Sequence, residues 1–393
     1  MPARSGMSVA VSSTGSVRVA NERAVYDVLC RGGGRSAPEL GEATGLSKPT
    51  VGIALVELEQ LGLVEQVGRR RGSTGRAPRI YRLRSAAGGA LAIDVGRSWV
   101  RGARVDLAGA VAERTALAAD GRSADALVDQ ILRLADDLCA GAEDQLLSHT
   151  VLGSPGVYDL AADVIRLAPN LPGWETTSVL GRLRDALPGD LVVENDINLA
   201  ALAELDHLAG LDDPVDTFVF VSVGTGLGMG IVSRGRLLRG ARGAAGEISY
   251  LPADPSSTTT STRLEELTGL ASIVRAARDA GLQVGSAEAV FDAARQGAPQ
   301  ARAVVEAEAE RLSLALAAVV AVLDPPLIIL GGGVGRNGDL LLEPIRTDLE
   351  RRLPLPPPEI RISRLGVDAP LQGALADGLA RCREAAFAAA TAP

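Results

Sequence analysis

The chain has 393 residues, of which 47% are hydrophobic and 22% are charged, and its formal net charge at pH 7 is −8. This length exceeds what one hydrophobic core usually serves, so we expect two or three globular domains. The longest apolar run, 312–323, ends at an Asp-Pro-Pro sequence before it reaches the roughly 18–20 residues that a membrane span needs, and it predicts a buried helix.

The first 20 residues are mostly small and polar, and we predict that they form a disordered lead. They contain no apolar segment followed by a small-residue cleavage pattern, so secretion has no support and we expect a cytoplasmic protein with no membrane partner. The three cysteines, Cys30, Cys139 and Cys382, lie far apart and form no CxxC spacing. Neither a disulfide framework nor a zinc site is predicted from them.

Charge is distributed unevenly along the chain. Residues 1–84 contain 13 Arg or Lys against 7 Asp or Glu, whereas the remainder contains 27 against 41. A basic segment on an acidic body is typical of nucleic-acid binding, because cations replace the counterions condensed on phosphates. A merely solvated basic surface would give the same charge balance. The order of the predicted elements has to distinguish it from a nucleic-acid-binding domain.

Three helices are predicted within the basic segment. The first covers 21–31, where apolar residues recur at helical spacing. Ser36 can cap the second helix with Glu39 as its reciprocal partner, and Gly45 ends that helix. The pattern predicts a helix, a tight turn and a further helix.

The third helix is predicted to be a DNA-recognition helix. Ser47 can cap it, and Pro49 suits its first turn. Its predicted buried stripe consists of Val51, Leu55, Leu58 and Leu61. Ser47, Lys48 and Thr50 are left pointing outward, where a recognition helix presents side chains to base edges.

Two strands and a glycine-rich hairpin, 68–78, follow this helix and predict a wing. Five arginines of the wing can reach phosphates or a minor groove: Arg69, Arg70, Arg71, Arg76 and Arg79. Residues 21–84 are therefore predicted to be a winged helix-turn-helix that binds double-stranded DNA. The alternative is a winged helix used for protein contacts.

Small residues at 85–89 mark a linker, after which three apolar strands each run into a glycine-rich turn. The turns lie at 94–98 (DVGRS), 224–230 (GTGLGMG) and 331–335 (GGGVG). Glycine lets a backbone approach a ligand closely and turn its N–H groups toward an anion. The candidate phosphate or nucleotide residues are Asp94, Gly96, Arg97, Ser98, Gly224, Thr225, Gly226, Gly332 and Gly333.

These motifs, taken in order, resemble those of the ROK family (repressors, open reading frames and sugar kinases). The markers are GLSKPTV, a wing close to the GRP motif, DVGRS, SPGVYD, APNLPGW, ENDINLAALAE, VGTGLGMGIV, GAAGEISY and LIILGGGV. The resemblance implies an α/β fold in which an actin-like, ribonuclease-H-type, two-lobed sugar-kinase-like domain covers 90–393, with a C-terminal helix packing back on the first lobe. Kinase members usually lack the DNA-binding domain, so the resemblance points to the xylose-type repressor branch.

A sugar site can be expected from chemistry, because carboxylates and amides bind pairs of hydroxyls with fixed geometry. The candidates are Asn170, Asn195, Asp196, Glu247 and Glu265. The resemblance implies that Asn195 and Asp196 hold sugar hydroxyls, that Asp196 would be the general base in a kinase, and that Glu247 and Glu265 contact the sugar. Asp196 also precedes an Ala-Leu-rich helix and could simply cap it.

Two departures from the family pattern favour a sensor over an enzyme. Arg97 replaces a glycine of the usual DxGGT, where it would block ATP phosphates unless it turned outward, or could bind an anion such as a sugar phosphate. The family's zinc motif is replaced by Ser249 and Tyr250 and then by a Ser/Thr stretch, 256–262. No zinc and no other cofactor is expected, and Tyr250 is left as a hydrogen-bonding partner for the sugar.

The sequence therefore predicts a DNA-binding regulator whose operator affinity changes when a sugar or sugar phosphate binds. The expected type of regulator is a repressor. Thermodynamics equally allows co-repression or activation. A homodimer or homotetramer is expected, since paired half-sites suit a two-fold protein. The alternatives are an active ATP-dependent sugar kinase that carries a DNA-binding domain, and a regulator that has lost sugar binding and responds to a protein or another metabolite.

Overall fold

A computed structural model describes residues 14–69, 78–141, 145–169, 171–211, 213–252 and 263–392. Several predicted features lie outside this part of the chain, namely the wing tip with Arg70, Arg71 and Arg76, the candidate Asn170, and the Ser/Thr stretch 256–262. The side chain of Glu265 also lies outside what is described.

The N-terminal domain is a winged helix-turn-helix, as predicted. Its elements are α1 (Thr14–Cys30), β1 (Arg35–Ser36), α2 (Ala37–Thr44), α3 (Lys48–Gln60), β2 (Val64–Arg69) and β3 (Arg79–Leu83). Strand β3 lies between β1 and β2 and is antiparallel to both. The strands of the hairpin thus flank the predicted wing.

The predicted caps of the second and third helices are confirmed. The backbone N–H of Ser36 donates to the Glu39 carboxylate at 2.8 Å. Gly45 ends α2 with φ = +72°, a backbone conformation that glycine adopts without strain. The Ser47 hydroxyl accepts from the backbone N–H of Thr50 at 3.4 Å and so caps α3.

Two predictions about these helices are corrected. Helix α1 begins at Thr14, within the predicted disordered lead, because the Arg18 guanidinium lies 3.3 Å from both Glu22 and Glu57 and ties the first turns to α3. Leu61 is exposed, because α3 ends at Gln60 and Leu63 continues the core instead. The Arg18–Glu57 pair and the burial of Leu63 both depend on tertiary packing, which the periodicity of the sequence does not show.

The linker after the wing is held against the following domain. Ser85–Ala87 form a 3-10 turn, and β4 already begins at Gly89. The side-chain amide of Gln145 donates to the carbonyl oxygens of Gly88 at 2.8 Å and Ser85 at 3.3 Å. The connection between the two domains is thus fixed by hydrogen bonds within the described residues.

The first lobe of the larger domain contains a five-stranded sheet. Its elements are β4 (Gly89–Val95), β5 (Trp99–Asp106), β6 (Val111–Ala118), α4 (Ala124–Cys139), β7 (Leu147–Ser154), the small hairpin β8 (Val157–Asp159) and β9 (Val164–Arg166), α5 (Thr177–Ala186) and β10 (Asp190–Asn195). The strand order is β10-β7-β4-β5-β6. Strand β5 is antiparallel to both β4 and β6, whereas β7 and β10 run parallel to β4.

The second lobe repeats this arrangement. Its elements are α6 (Asp196–Ala209), β11 (Phe218–Val223), β12 (Leu227–Ser233), β13 (Arg236–Leu237), α7 (Leu264–Leu267), α8 (Leu270–Asp279), α9 (Ala287–Arg295), α10 (Pro299–Leu323), β14 (Leu327–Gly331), α11 (Gly332–Gly335), α12 (Gly338–Arg352), β15 (Glu359–Ile362) and α13 (Ala369–Thr391). The order β13-β12-β11-β14-β15 has the same pattern of strand directions as the first sheet. Two copies of this sheet confirm the predicted two-lobed, ribonuclease-H-type fold.

The predicted apolar run 312–323 lies within α10, much of which is buried in the second lobe. Helix α10 ends at Asp324, which has φ = +44°, just before two prolines. Among the described residues, no helix combines the length and the apolar character that crossing a membrane requires.

Helices α6 and α13 pack against each other at the junction of the lobes. A Cβ atom at Gly373 of α13 would lie 1.8 Å from the carbonyl oxygen of Leu199 of α6, so only glycine permits this approach. Helix α13 also packs on β4 and β7 of the first sheet, while α6 packs on β11 and β12 of the second. The pair therefore connects both sheets.

The C-terminal helix α13 also contacts the DNA-binding domain. The hydroxyl of buried Tyr26 in α1 donates to the carbonyl oxygen of Arg383 at 3.0 Å, and its ring centroid lies 5.1 Å from that of Phe387. Arg23 lies over the Phe387 ring at 5.2 Å and bonds Glu384 at 2.6 Å. One hydrophobic cluster contains the core of the winged helix and residues of α13. The two domains thus share packed side chains.

We expect Phe387→Ala to weaken this interface. Phe387 is buried, and removing a buried aromatic ring costs about 3 kcal/mol or more of unfolding free energy. Calorimetry should show the winged helix unfolding in a separate transition at a lower temperature. The control Phe387→Leu keeps most of the apolar volume and should cost about 1 kcal/mol. A single transition at the wild-type temperature in Phe387→Ala would contradict a structural role for the contact.

Candidate ligand cleft and nucleic-acid surface

A cavity of about 470 Å³ lies between the two lobes. Its walls come from the start of α6, the turn between β11 and β12, the segment 243–250 and the region around the start of α13. Its charged and polar lining residues are Arg101, Asn195, Asp196, Asn198, Ser222, Thr225, Glu247, Ser249 and Tyr250. The structure thus brings four of the predicted sugar residues, namely Asn195, Asp196, Glu247 and Tyr250, into one cavity.

Asn195 is the N-cap of α6. Its side-chain oxygen accepts from the backbone N–H groups of Ile197 at 2.9 Å and Asn198 at 3.1 Å. Its side-chain amide donates to the carbonyl oxygen of Gly156 at 2.9 Å, which joins the helix start to the loop of the SPGV motif. The side chain therefore builds the floor of the cavity through backbone contacts.

Asp196 is the first residue of α6 and faces the same cavity. Its carboxylate accepts from the backbone N–H of Ile197 at 2.9 Å. Burial, together with the negative charges of Asp94 and Glu247, raises the pKa of Asp196 to about 7. Near neutral pH this carboxyl can both accept and release a proton, which suits a hydrogen-bonding partner for hydroxyl groups and also a general base.

Glu247 precedes the 3-10 turn Ile248–Tyr250 and Tyr250 is its last residue, and both line the cavity. The guanidinium of Arg263 lies 4.7 Å from the centroid of the Tyr250 ring, within the range of a cation–π contact. Glu265 belongs to the short helix α7, two residues beyond Arg263. This wall presents a carboxylate and a phenol to the ligand space.

A buried ion pair lies beside the cavity, and the sequence did not reveal it. The Arg101 guanidinium donates to the carboxylate of buried Asp94 at 3.0 Å and lies 3.5 Å from that of Asp368. Burial raises the pKa of Asp94, and the bond from Arg101 opposes that rise. Asp94 and Arg101 lie directly opposite each other on β4 and β5. Their places on either side of a tight turn were the feature of the sequence that could have predicted this pair.

A second ion pair missed by the sequence connects the lobes. The guanidinium of Arg239, which follows β13, lies 2.5 Å from the carboxylate of Glu194 at the end of β10. Glu194 is buried and also accepts from the side-chain amide of Asn198 at 2.8 Å. An opening motion of the cleft would have to move this pair, because Glu194 belongs to the first lobe and Arg239 to the second.

The predicted phosphate residues occupy different places. Gly224, Thr225, Gly226 and Gly332 line the cavity, and Gly333 follows directly. The backbone N–H of Gly96 donates to the Trp99 carbonyl at 2.8 Å, and that of Gly224 donates to the Gly226 carbonyl at 2.9 Å. These two donors close their own turns instead of pointing at a phosphate group.

Arg97 lies outside the main cavity. Its exposed side chain borders a separate small pocket with the start of α4 and with Trp174. Its neighbour Ser98 is also exposed. Neither side chain lines the space between the lobes, so Arg97 does not fill the predicted path of a nucleotide.

Two glycines of the GTGLGMG motif serve packing. A Cβ atom at Gly228 would lie 2.9 Å from the Ile197 side chain, and one at Gly230 would lie 2.7 Å from Ala201. Both contacts are with α6, which lies directly on β12. Their part in the motif is to let the helix that carries Asp196 approach the sheet.

The buried carboxyl of Glu308 in α10 supports the turn between β11 and β12. It accepts from the backbone N–H of Gly269 at 3.0 Å, and the next residue, Leu270, donates to the carbonyl of Gly224 at 2.9 Å. Burial raises the pKa of Glu308 to about 7. Helix α10 contains three glutamates, Glu306, Glu308 and Glu310, and nothing in the sequence singled out Glu308 for this role.

The predicted DNA contacts within the described residues lie at the surface. Lys48 is exposed at the start of α3, whereas the hydroxyls of Ser47 and Thr50 bond each other at 2.8 Å as part of the cap. Arg69 and Arg79 are exposed and pair across the base of the wing. Cationic side chains therefore occur at both the recognition helix and the wing.

Known proteins resemble both parts of the chain. Residues 90–379 match the ROK family, and residues 27–77 match the MarR family. A glucokinase of Halalkalibacterium halodurans is 30% identical over 306 residues, which are 72% of this chain and 92% of that protein. A xylose repressor of Caldicellulosiruptor bescii is 25% identical over 341 residues, which are 81% of this chain and 84% of that protein.

A solved structure covers almost the whole chain. It is a ROK family transcriptional regulator described as a homologue of the E. coli MLC protein, with a TM-score of 0.76, 21% identity, and coverage of 95% of this chain and 99% of the other. At this identity the likeness establishes the fold. The match over residues 90–379 shows that the chain belongs to the ROK family, and the match of its N-terminal domain makes it a transcriptional regulator with a winged helix-turn-helix ahead of its kinase-like domain.

Proposed function

We propose that this regulator is a repressor that binds double-stranded DNA and responds to a neutral sugar in the cleft, without kinase activity. The observation that carries the proposal is the position of Asp196. It lines the cleft with Glu247, and it begins the helix that packs on α13, which in turn contacts the DNA-binding domain.

The chemistry of the cleft supports a neutral polyhydroxyl ligand. Carboxylates and amides accept and donate hydrogen bonds with the geometry that adjacent hydroxyls require. A cavity of about 470 Å³ lies within the usual range for small-molecule sites. Asp94, Asp196 and Glu247 lie close together, and Arg101 is already paired with Asp94 and Asp368. An added phosphate group would meet repulsion from these carboxylates, so a free sugar is favoured over a sugar phosphate.

The loops of the cleft support the absence of kinase activity. Mg-ATP requires backbone donors for its phosphates and oxygen ligands for the metal. The N–H groups of Gly96 and Gly224 are used inside their own turns, and the carboxylate of Asp94 is held by Arg101. These residues therefore fit the nucleotide poorly.

We also propose that the chain works without zinc. Ser249 and Tyr250 stand where zinc-containing relatives are expected to carry a histidine, and hydroxyl groups are poor zinc ligands. Both residues instead line the wall of the cleft.

Signal transfer is proposed to follow the packed helices. A sugar that contacts both Asp196 and Glu247 favours the closed arrangement of the lobes, and α6 and α13 pass this change to α1. Only a difference in affinity between two arrangements can couple the sugar to DNA. A homodimer or homotetramer with paired winged helices would read two half-sites, and closure would alter their spacing and release the operator.

Thermal unfolding against a panel of hexoses, pentoses and their phosphates tests the proposal, each with and without Mg-ATP. One neutral sugar should raise the unfolding temperature whether or not Mg-ATP is present, since a ligand at 100 times its Kd adds about 2.7 kcal/mol to native stability. A coupled assay should detect no sugar-dependent ATP consumption.

Each other outcome of this panel contradicts a part of the proposal. A shift that requires Mg-ATP, with sugar phosphorylation, would support the kinase alternative, for which the pKa of Asp196 near 7 is the favouring observation. If no sugar in the panel changes the unfolding temperature, the sugar-sensing proposal is contradicted, and a different metabolite or a protein is the signal.

Replacing Asp196 with asparagine should remove the pH dependence that this site gives to the stability of the sugar-free protein. Because the folded pKa is about 7, above the unfolded value of 3.8, the stabilising contribution of Asp196 is complete below pH 3.8 and is lost as the pH rises through about 7. Asp196→Asn should therefore be more stable than wild type by roughly 1–3 kcal/mol at pH 8, with a smaller gain at pH 5.

Asp206→Asn, at an exposed position on the same helix, is the matched control and should show no such difference. Thermal unfolding at pH 5 and pH 8 measures both variants, and addition of the sugar should then stabilise wild type and Asp206→Asn alone. Equal stability of wild type and Asp196→Asn at pH 8 would show that Asp196 is not held in an unfavourable charged state.

A further inference from the structure

Helix α3 has a second apolar surface opposite its buried face. The buried face consists of Val51, Ala54, Leu55 and Leu58. On the other side, Ile53 is 60% exposed and Val56 is 51% exposed, and Pro49 lies one turn before Ile53 on the same stripe. Residues three and four apart are neighbours on a helix surface, so these side chains form a continuous strip. An exposed strip of this kind marks a contact surface.

Gly52 gives an independent indication that a partner approaches this helix closely. It lies within α3, where glycine weakens a helix relative to alanine. A Cβ atom at this position would meet no other atom within 4 Å, so packing inside the protein does not require glycine. The missing side chain leaves room beside Ile53 for something outside the domain.

The charges around the strip indicate an anionic partner. Lys48 begins the helix, and Arg69 and Arg79 are exposed at the base of the wing. The helix also carries two carboxylates: Glu57 is partly neutralised by Arg18, whose guanidinium lies 3.3 Å away, and exposed Glu59 lies in the last turn, far from Lys48. An apolar strip with cations at its sides matches a major groove, in which phosphates flank a floor that carries the 5-methyl groups of thymine.

We propose that Ile53 and Val56 recognise thymine methyl groups, with Gly52 allowing the base edges to approach. Sequence readout by this helix then depends on apolar contacts, while Lys48 and the wing arginines supply affinity and register. This inference rests on the proposed DNA-binding function and adds the chemical feature of the operator that the helix reads. It places at least one thymine in each half-site opposite Ile53 or Val56.

The test uses the full chain and duplexes that it selects from a random library. Each thymine of the selected site is replaced in turn by deoxyuridine, which lacks only the 5-methyl group. At one or more positions the Kd should rise about fourfold, which corresponds to losing the burial of one methyl-sized group. Ile53→Ala or Val56→Ala should bind the thymine and deoxyuridine duplexes with equal affinity at the position that the side chain contacts.

Two further variants separate recognition from folding. Val322→Ala removes an equally apolar, highly exposed side chain on α10 and should leave the preference for thymine unchanged. Gly52→Ala should unfold at a higher temperature yet bind the selected duplex more weakly, because the added methyl group occupies the approach path.

The outcomes distinguish this inference from the function on which it rests. Selection of no duplex at all would overturn DNA binding and the inference with it. Salt-dependent binding of a selected site in which no deoxyuridine position changes the Kd would overturn the inference alone. The same holds if the methyl effect persists undiminished in both alanine variants, or if those variants lose oligomeric mass without losing DNA affinity, which would assign the strip to a contact between protein chains.

Discussion

The close packing of α13 against α6 is the contact on which the rest of the molecule depends. Gly373 lets the two helices approach until its Cα lies against the backbone of Leu199, where any side chain would clash. Each helix is also bound to a different sheet, and α13 continues to Tyr26 of the DNA-binding domain. Because packed interiors resist continuous deformation, a change at the start of α6 has to be accommodated by the same helices that hold the winged helix. This arrangement gives the cleft a physical connection to DNA.

The cleft concentrates negative charge, and that charge limits what it can bind. Burial raises the pKa of Asp196 and the charges of Asp94 and Glu247 add to that rise, while Arg101 compensates Asp94 at a buried position. Removing Arg101 would leave an uncompensated carboxylate in the interior, which is much more costly than the pair is stabilising. The chief effect of Arg101 is therefore to neutralise Asp94, whose isolated charge would destabilise the folded domain. A neutral ligand that offers hydroxyl donors to Asp196 and Glu247 relieves the same repulsion without adding charge.

Local signals allowed much of the fold to be predicted, and long-range contacts explain the rest. The Ser36–Glu39 box, Gly45 and the Ser47 cap lie within a few residues of the helix ends they define, so the sequence alone identified them. The pairs Arg101–Asp94 and Arg239–Glu194 depend on strand register and on the meeting of two lobes, which no local pattern contains. The glycines after β11 were predicted as a phosphate loop, yet part of that motif serves the packing of α6. Asn195 was predicted as a sugar ligand, and its side chain caps the helix that presents Asp196.

The recognition helix shows why periodicity alone underdetermines function. Helix α3 has apolar residues on opposite sides, so one stripe satisfies the domain core and the other stays at the surface. The sequence drew attention to the polar first turn, but the hydroxyls of Ser47 and Thr50 bond each other in the cap. What the helix offers to a groove beyond Lys48 is therefore mainly shape and apolar contact. A regulator built in this way separates two tasks, because arginines at the wing attract any duplex, whereas Ile53 and Val56 can distinguish one base from another by a single methyl group.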